Sequence, residues 1–435
     1  MDEVRTPAAV GADSPAPGAR VAEHLGGVID FLSNFRNTAE LPARQNLLNA
    51  LRQVQQEAAV RDLKAPASPS ELAQAMRELP SIGMLAAAIG VRELPGFAPY
   101  EAGDPKWLES VLNYVHTGHN RFRFPTHQAL KVDPVKALVA EPEIRIAMAG
   151  DAGTSEPAAI AVRDQMRAKR PHYTVHLGDV YYSGLQTEEQ IFLSTWPSGS
   201  VGNYTLNSNH EMYCGGTGYF ETLLGNPLFK AQQGLSYFAL TNDHWLIVAL
   251  DSAYFGYYQS LLYEEGSICE PDAAREPDGM VQVEWLREVL KQNEGKRVIL
   301  LTHHHGFDVN PATGAVSRAP LYQRITGEFC NVHDWWWYWG HVHTAIAYWR
   351  LYFDNNSSMS ARCVGHGAIP YEPFPHDLGW LGDGEVRVQW AETDLARNGG
   401  DDRRAPNGFL MLTLKGAELR EEFYDELGRQ RWSNF

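Results

Sequence analysis

Apolar residues follow two rhythms along this chain, and the rhythm changes near residue 140. Before it they recur at helical spacing. Leu25, Val28, Ile29 and Leu32 share one face, as do Leu47, Leu51, Val54 and Ala58. Ser68-Pro69-Ser70-Glu71 reads as a helix start, with a capping serine, a proline in the first turn and a glutamate three residues on. Asp104-Pro105 opens another helix, with Leu108, Val111, Leu112 and Val115 on one side. The first twenty residues are rich in Ala, Pro, Gly and Asp and have no such period. The pattern predicts a disordered tail over 1–20, a helical segment and linker over 21–140, and a different domain over 141–435.

In that last domain short apolar runs alternate with helical and loop stretches. IRIAMA (144–149), YTVHL (173–177), SYFAL (236–240), WLIVAL (245–250) and RVILLT (297–302) read as buried strands. Thr241-Asn242-Asp243 between two of them reads as a hairpin turn. GFLMLTL and LREEFYDELG near the C-terminus predict a second hairpin. The fold class is therefore α/β.

Composition narrows the partners. The chain has 435 residues, 44% hydrophobic, and a formal net charge of -16. That charge argues against gripping nucleic acid or an anionic membrane surface by electrostatics. It does not exclude a small phosphorylated substrate, because a bound cation can supply a local positive field. The four cysteines form no C-x-x-C pair and read as free thiols. The N-terminus lacks a basic stretch followed by an apolar one, and no apolar run is long enough to span a bilayer. These features predict a cytoplasmic protein.

The chemistry lies at the strand ends. IRIAMA runs into Gly150-Asp151-Ala152-Gly153, and YTVHL into Gly178-Asp179-Val180-Tyr181-Tyr182. VGNYTLN runs into Ser208-Asn209-His210-Glu211, and RVILLT into His303-His304-His305. The run WWWYW (335–339) ends in Gly340-His341-Val342-His343. Five times an apolar strand delivers Asp, Asn or His at its C-terminal end, where α/β sheets place ligand sites. A lone His-x-His is usually two loop histidines, and a lone Gly-Asp is usually a turn. Five such deliveries in one domain point to a common centre. Carboxylate, amide and imidazole donors without cysteine suit divalent and trivalent first-row metals rather than structural zinc.

This order of motifs resembles the calcineurin-like metallophosphoesterase superfamily. Two features bring it nearer to the purple acid phosphatases. A D-x-G stands where the wider superfamily has D-x-H, and a tyrosine, Tyr182, follows Asp179 by three residues. The resemblance covers about 144 to 370 and leaves the helical first third outside. It implies a four-layer α/β/β/α sandwich and two metal ions, Fe(III) plus divalent Fe, Zn or Mn. Asp151, Tyr182 and His343 would hold the ferric ion, Asp179 would bridge, and Asn209, His303 and His341 would hold the other. His304 is the alternative to His303. His210 would assist the leaving group and Glu211 would orient it. The implied activity is hydrolysis of phosphate esters, with monoesters expected first. A phosphodiesterase using two divalent metals is the alternative, and a scaffold with a vestigial centre is the reading from another class. Ser208 departs from the family, which has glycine before the asparagine.

Overall fold

The computed structural model describes residues 121–256, 263–270, 278–396 and 404–435, together with Arg52. Contacts divide the chain into two compact units, 1–93 with 101–112, and 94–100 with 113–435. Apart from Arg52, every described residue belongs to the second unit. The helices expected over 21–118 and the tail over 1–20 lie outside the described residues.

The predicted strands, together with others that the sequence did not single out, such as Ser358–Val364, form two mixed sheets. The larger has nine strands. Trp245–Ala249, Arg297–Thr302, Asp334–Trp339 and Ser358–Val364 run parallel as its centre. Phe238–Thr241 pairs antiparallel with Trp245–Ala249 across the turn predicted at 241–243. Val135–Ala137, read as linker from the sequence, pairs with Phe238–Thr241 as an edge strand. The second sheet has six strands. Ile144–Ala149, Tyr173–His176 and Gly202–Thr205 are parallel, and the C-terminal hairpin Gly408–Lys415/Glu418–Asp425 joins them antiparallel.

One buried cluster draws on both sheets: Ile146, Met148 and Leu410 from the smaller, Ile247, Ile299 and Tyr338 from the larger. The sheets therefore pack face to face. Helices cover the outer sides. Phe192 in helix Gln186–Thr195 packs on His176, with Trp196 just beyond it. Phe329, ending helix Pro320–Glu328, packs on Trp335. The architecture is the expected α/β/β/α sandwich.

The aromatic run shows why both faces must be covered. Trp336 and Tyr338 point into the core between the sheets. The alternate residues Trp335, Trp337 and Trp339 point outward and are 1%, 0% and 0% exposed. Their indoles need polar partners, and Trp337 donates to Thr302 Oγ1 at 2.8 Å. Burying each ring contributes on the order of 2 kcal/mol. That holds the strand end, and the residues after it, in a fixed place.

Candidate metal centre

The parallel strands of both sheets end on the same side, and their loops converge there. Asp151, Asp179 and His343 bring one ligand atom each to within 4.8 Å of one another. His303, His304 and His341 form a second such group. Asn209 joins the second, its Oδ1 lying 2.8 Å from His303 Nε2 and 3.1 Å from His341 Nδ1.

Local backbone geometry explains the convergence. Asp151, Asp179 and His341 all have positive φ, at 53°, 73° and 64°. Each strand therefore turns sharply as it ends and throws its side chain inward. Asp151 N–H donates to the Gly178 carbonyl at 2.9 Å, and His341 N–H donates to Asp151 Oδ2 at 2.8 Å, which ties three loops together. Gly178 (φ +96°) leaves no room for a side chain, because a Cβ there would stand 2.6 Å from His303 Nδ1.

Gly365, just past strand Ser358–Val364, was not singled out by the sequence. A Cβ there would strike the Val342 carbonyl and lie 2.8 Å from Asp151 Oδ2. Gly365→Ala is therefore expected to cost roughly 1–3 kcal/mol and to displace Asp151. Thermal melting checks the first effect and metal content the second. An unchanged melting temperature with full metal content would refute both.

The donor atoms face one another with lone pairs rather than hydrogens. His303 Nδ1 lies 2.8 Å from the Leu177 carbonyl, so it carries the ring proton. Burial pushes the His303 imidazole below its ordinary range, which leaves Nε2 a bare acceptor. That acceptor faces another, Asn209 Oδ1. Burial, and then His304, holds His341 well below its ordinary range. Asp151 Oδ1 is buried and makes no hydrogen bond. Burial and the neighbouring Asp179 push the Asp151 carboxyl well above the usual carboxylate range. Burial also works against the Asp179 carboxylate, but His210 and His303 outweigh it and hold this group low. Converging lone pairs and crowded carboxylates fit bound cations, and the donor types suit first-row metals.

Two residues, Tyr182 and Glu211, stand differently from the expectation. The phenol set against the first group is that of Tyr181, one position before Tyr182. Its hydroxyl is 2.5 Å from His343 Nε2 and 3.2 Å from Asp179 Oδ2. Tyr182 is buried and enters through its main chain, its N–H donating to Glu188 Oε1 at 2.7 Å. The reason lies in the turn. Glu188 takes the N–H groups of Tyr182, Ser183 and Leu185, and this contact from the following helix sets which ring turns inward.

Glu211 was expected to orient His210. Instead it accepts the N–H groups of Asp179 at 3.3 Å and Val180 at 3.2 Å and contacts Ser208 Oγ. It braces the Asp179 loop. Burial, then Asp179, pushes its carboxyl up to about 8. His210 is oriented by the Tyr182 carbonyl, 2.6 Å from Nδ1, which directs Nε2 toward Asp179 Oδ2 at 3.9 Å. Ser208 caps the helix Asn209–Met212 and also contacts Asp179 Oδ1.

Within the histidine triplet, His304 lies near the second group, but both its nitrogens are engaged. Nδ1 is 3.0 Å from Ser252 Oγ and Nε2 is 2.6 Å from the Tyr263 carbonyl. His305 stacks on His341 with centroids 5.3 Å apart. Geometry thus leaves His303 as the member whose bare nitrogen faces Asn209.

No known family profile matches the chain, and no curated protein matches it in sequence. Solved structures similar to it include one titled "GAP50 the anchor in the inner membrane complex of Plasmodium". It is 12% identical, spanning 67% of this chain and 88% of that one with a TM-score of 0.45. Another is titled "Structure of PhoD", 12% identical, spanning 68% of this chain and 73% of that one with a TM-score of 0.44. Both overlaps are slight, and the reading of function rests on the site itself. Among the described residues no helix is long and apolar enough to cross a membrane.

Proposed function

We propose that this chain is a metal-dependent hydrolase of phosphate esters that holds two cations side by side. The observation that carries the reading is the pair of adjoining donor groups, with Asp179 between them. Asp151, Tyr181 and His343 would hold the first cation and Asn209, His303 and His341 the second, with Asp179 facing both groups. A phenolate beside two carboxylates is a hard, anionic set and favours Fe(III) at the first position. Two imidazoles and an amide oxygen suit divalent Fe, Zn or Mn at the second. Such a pair, when bound, polarises a phosphoryl oxygen and makes a bound water acidic.

The chain's own groups supply the rest. Asp151 and Asp179 are held rigid by main-chain N–H groups and by Glu211, so they need not reorganise when substrate arrives. His210 stands at the rim, with its ring against Tyr181 at 4.0 Å between centroids. Its Nδ1 is committed to the Tyr182 carbonyl, so in the imidazolium form Nε2 carries the proton that would pass to the departing ester oxygen, leaving the neutral imidazole. The resemblance in motif order favours monoesters as substrates.

The test is a visible spectrum of the concentrated protein together with its metal analysis. Two cations per chain and a broad band that disappears in Tyr181→Phe but survives in Tyr182→Phe are expected. A band lost in Tyr182→Phe instead would return the ligand role to that residue. Protein that holds no cation and takes none up after reconstitution would overturn the proposal. Chelation should abolish hydrolysis of a chromogenic phosphate ester, and added metal should restore it.

A further inference from the structure

The second donor group depends on which way an amide and an imidazole are turned, and two residues outside it determine that. Asn209 Nδ2 donates to the Tyr213 hydroxyl at 3.1 Å. Tyr213 donates its single proton to Glu264 Oε1 at 2.9 Å. A carboxylate only accepts, so Tyr213 is left able only to accept from Asn209. Only the amide nitrogen satisfies that need. The Asn209 oxygen is therefore forced toward His303 Nε2 and His341 Nδ1. The other oxygen of the same carboxylate, Glu264 Oε2, lies 3.8 Å from His341 Nε2. The carboxylate thus faces the outer nitrogen of His341, while Nδ1 points toward Asn209 Oδ1 and the cation position.

Glu264 is itself held in place. The carbonyl of the preceding residue, Tyr263, meets His304 Nε2. His304 Nδ1 meets Ser252 Oγ, and the Ser252 carbonyl accepts from Ser267 N–H at 2.9 Å. The middle histidine of the triplet thus straps the 263–267 segment against the loop that carries His303.

We infer that Tyr213 and Glu264 act as one positioning unit that fixes the ligands of the second cation. This rests on the two-cation reading above. The unit's hydrogen bond goes to Asn209 and its carboxylate faces His341, both donors of the second group, while the Tyr213 ring also packs on His210 at 4.8 Å between centroids. Its loss should therefore separate the two positions.

The experiment titrates Zn(II) or Mn(II) into metal-stripped full-length protein by calorimetry, for wild type, Tyr213→Phe and Glu264→Gln, with melting of each stripped protein alongside. In Tyr213→Phe one of the two binding events should lose about 10–100-fold in affinity while the other moves by less than about threefold. Glu264→Gln should weaken the same event, and the double variant should be no worse than the worse single. Wild-type affinity at both positions in Tyr213→Phe and Glu264→Gln would overturn the inference. So would equal weakening of both positions with a lower melting temperature of the stripped protein, since that marks a merely structural role. Wild type that binds no cation would overturn the two-cation reading as well, which keeps the two failures distinct.

Discussion

Replacing Asp179 by asparagine is expected to empty the centre. Among the described residues, Asp179 is the one whose carboxylate reaches both donor groups. Oδ1 lies 3.3 Å from His303 Nε2, and Oδ2 lies 3.2 Å from the Tyr181 hydroxyl. Asparagine removes a negative charge and points an N–H2 where a lone pair is needed. Even outer partners of metal ligands change affinity by 10–100-fold, so loss of a shared ligand should exceed ~100-fold. Hydrolysis should fall with the metal content. The stripped variant should stay folded, because the substitution relieves the repulsion between Asp151 and Asp179 while it gives up the favourable interactions of Asp179 with His210 and His303. Elemental analysis and a melting curve decide it. Two retained cations per chain would remove Asp179 from the bridging role. A collapse in stability without metal would make it a structural residue.

His210→Gln is expected to act on the chemistry alone. His210 contacts the Tyr182 carbonyl and lies 3.9 Å from Asp179, but it belongs to neither donor group. Removing a positioned acid typically lowers turnover by about 10²–10⁴-fold. That is the fall expected in kcat for an ester with a poor leaving group, with cation content unchanged. An ester whose leaving group departs without protonation, such as a nitrophenyl ester, should lose much less. An equal loss on both esters would argue that His210 acts on phosphate binding and not on the leaving oxygen. Loss of a cation would make it a ligand.

Much of the fold and the site is legible in the chain alone, because those signals are local. Strand existence follows from apolar runs bounded by turns, and Arg297–Thr302 matches its predicted bounds to the residue. Gly202–Thr205 and Asp334–Trp339 fall within a residue or two of their predicted ends. With the strands placed, the groups at their C-terminal ends are candidates by rule. Asp151, Asp179, Asn209, His303, His341 and His343 all come together in the structure.

Tertiary contacts decided the rest, because a loop side chain takes its direction from partners far along the chain. Counting residues from Asp179 selects Tyr182, whereas the contact from Glu188 turns Tyr181 inward. Adjacency suggests that Glu211 serves His210, whereas it braces main-chain N–H groups some thirty positions earlier. Tyr213 lies four residues after Asn209, and that helical spacing is the one signal in the sequence that points to it. Glu264 carries no local mark at all. It reaches the centre because contacts from distant residues, among them His304 and Ser252, tie its segment down. The sequence thus determined the strands that deliver the donor residues and what they carry to one edge, but not Val135–Ala137 or Ser358–Val364. The packed structure decided which ring, which nitrogen and which carboxylate face inward, since those choices belong to hydrogen bonds between residues that the chain keeps far apart.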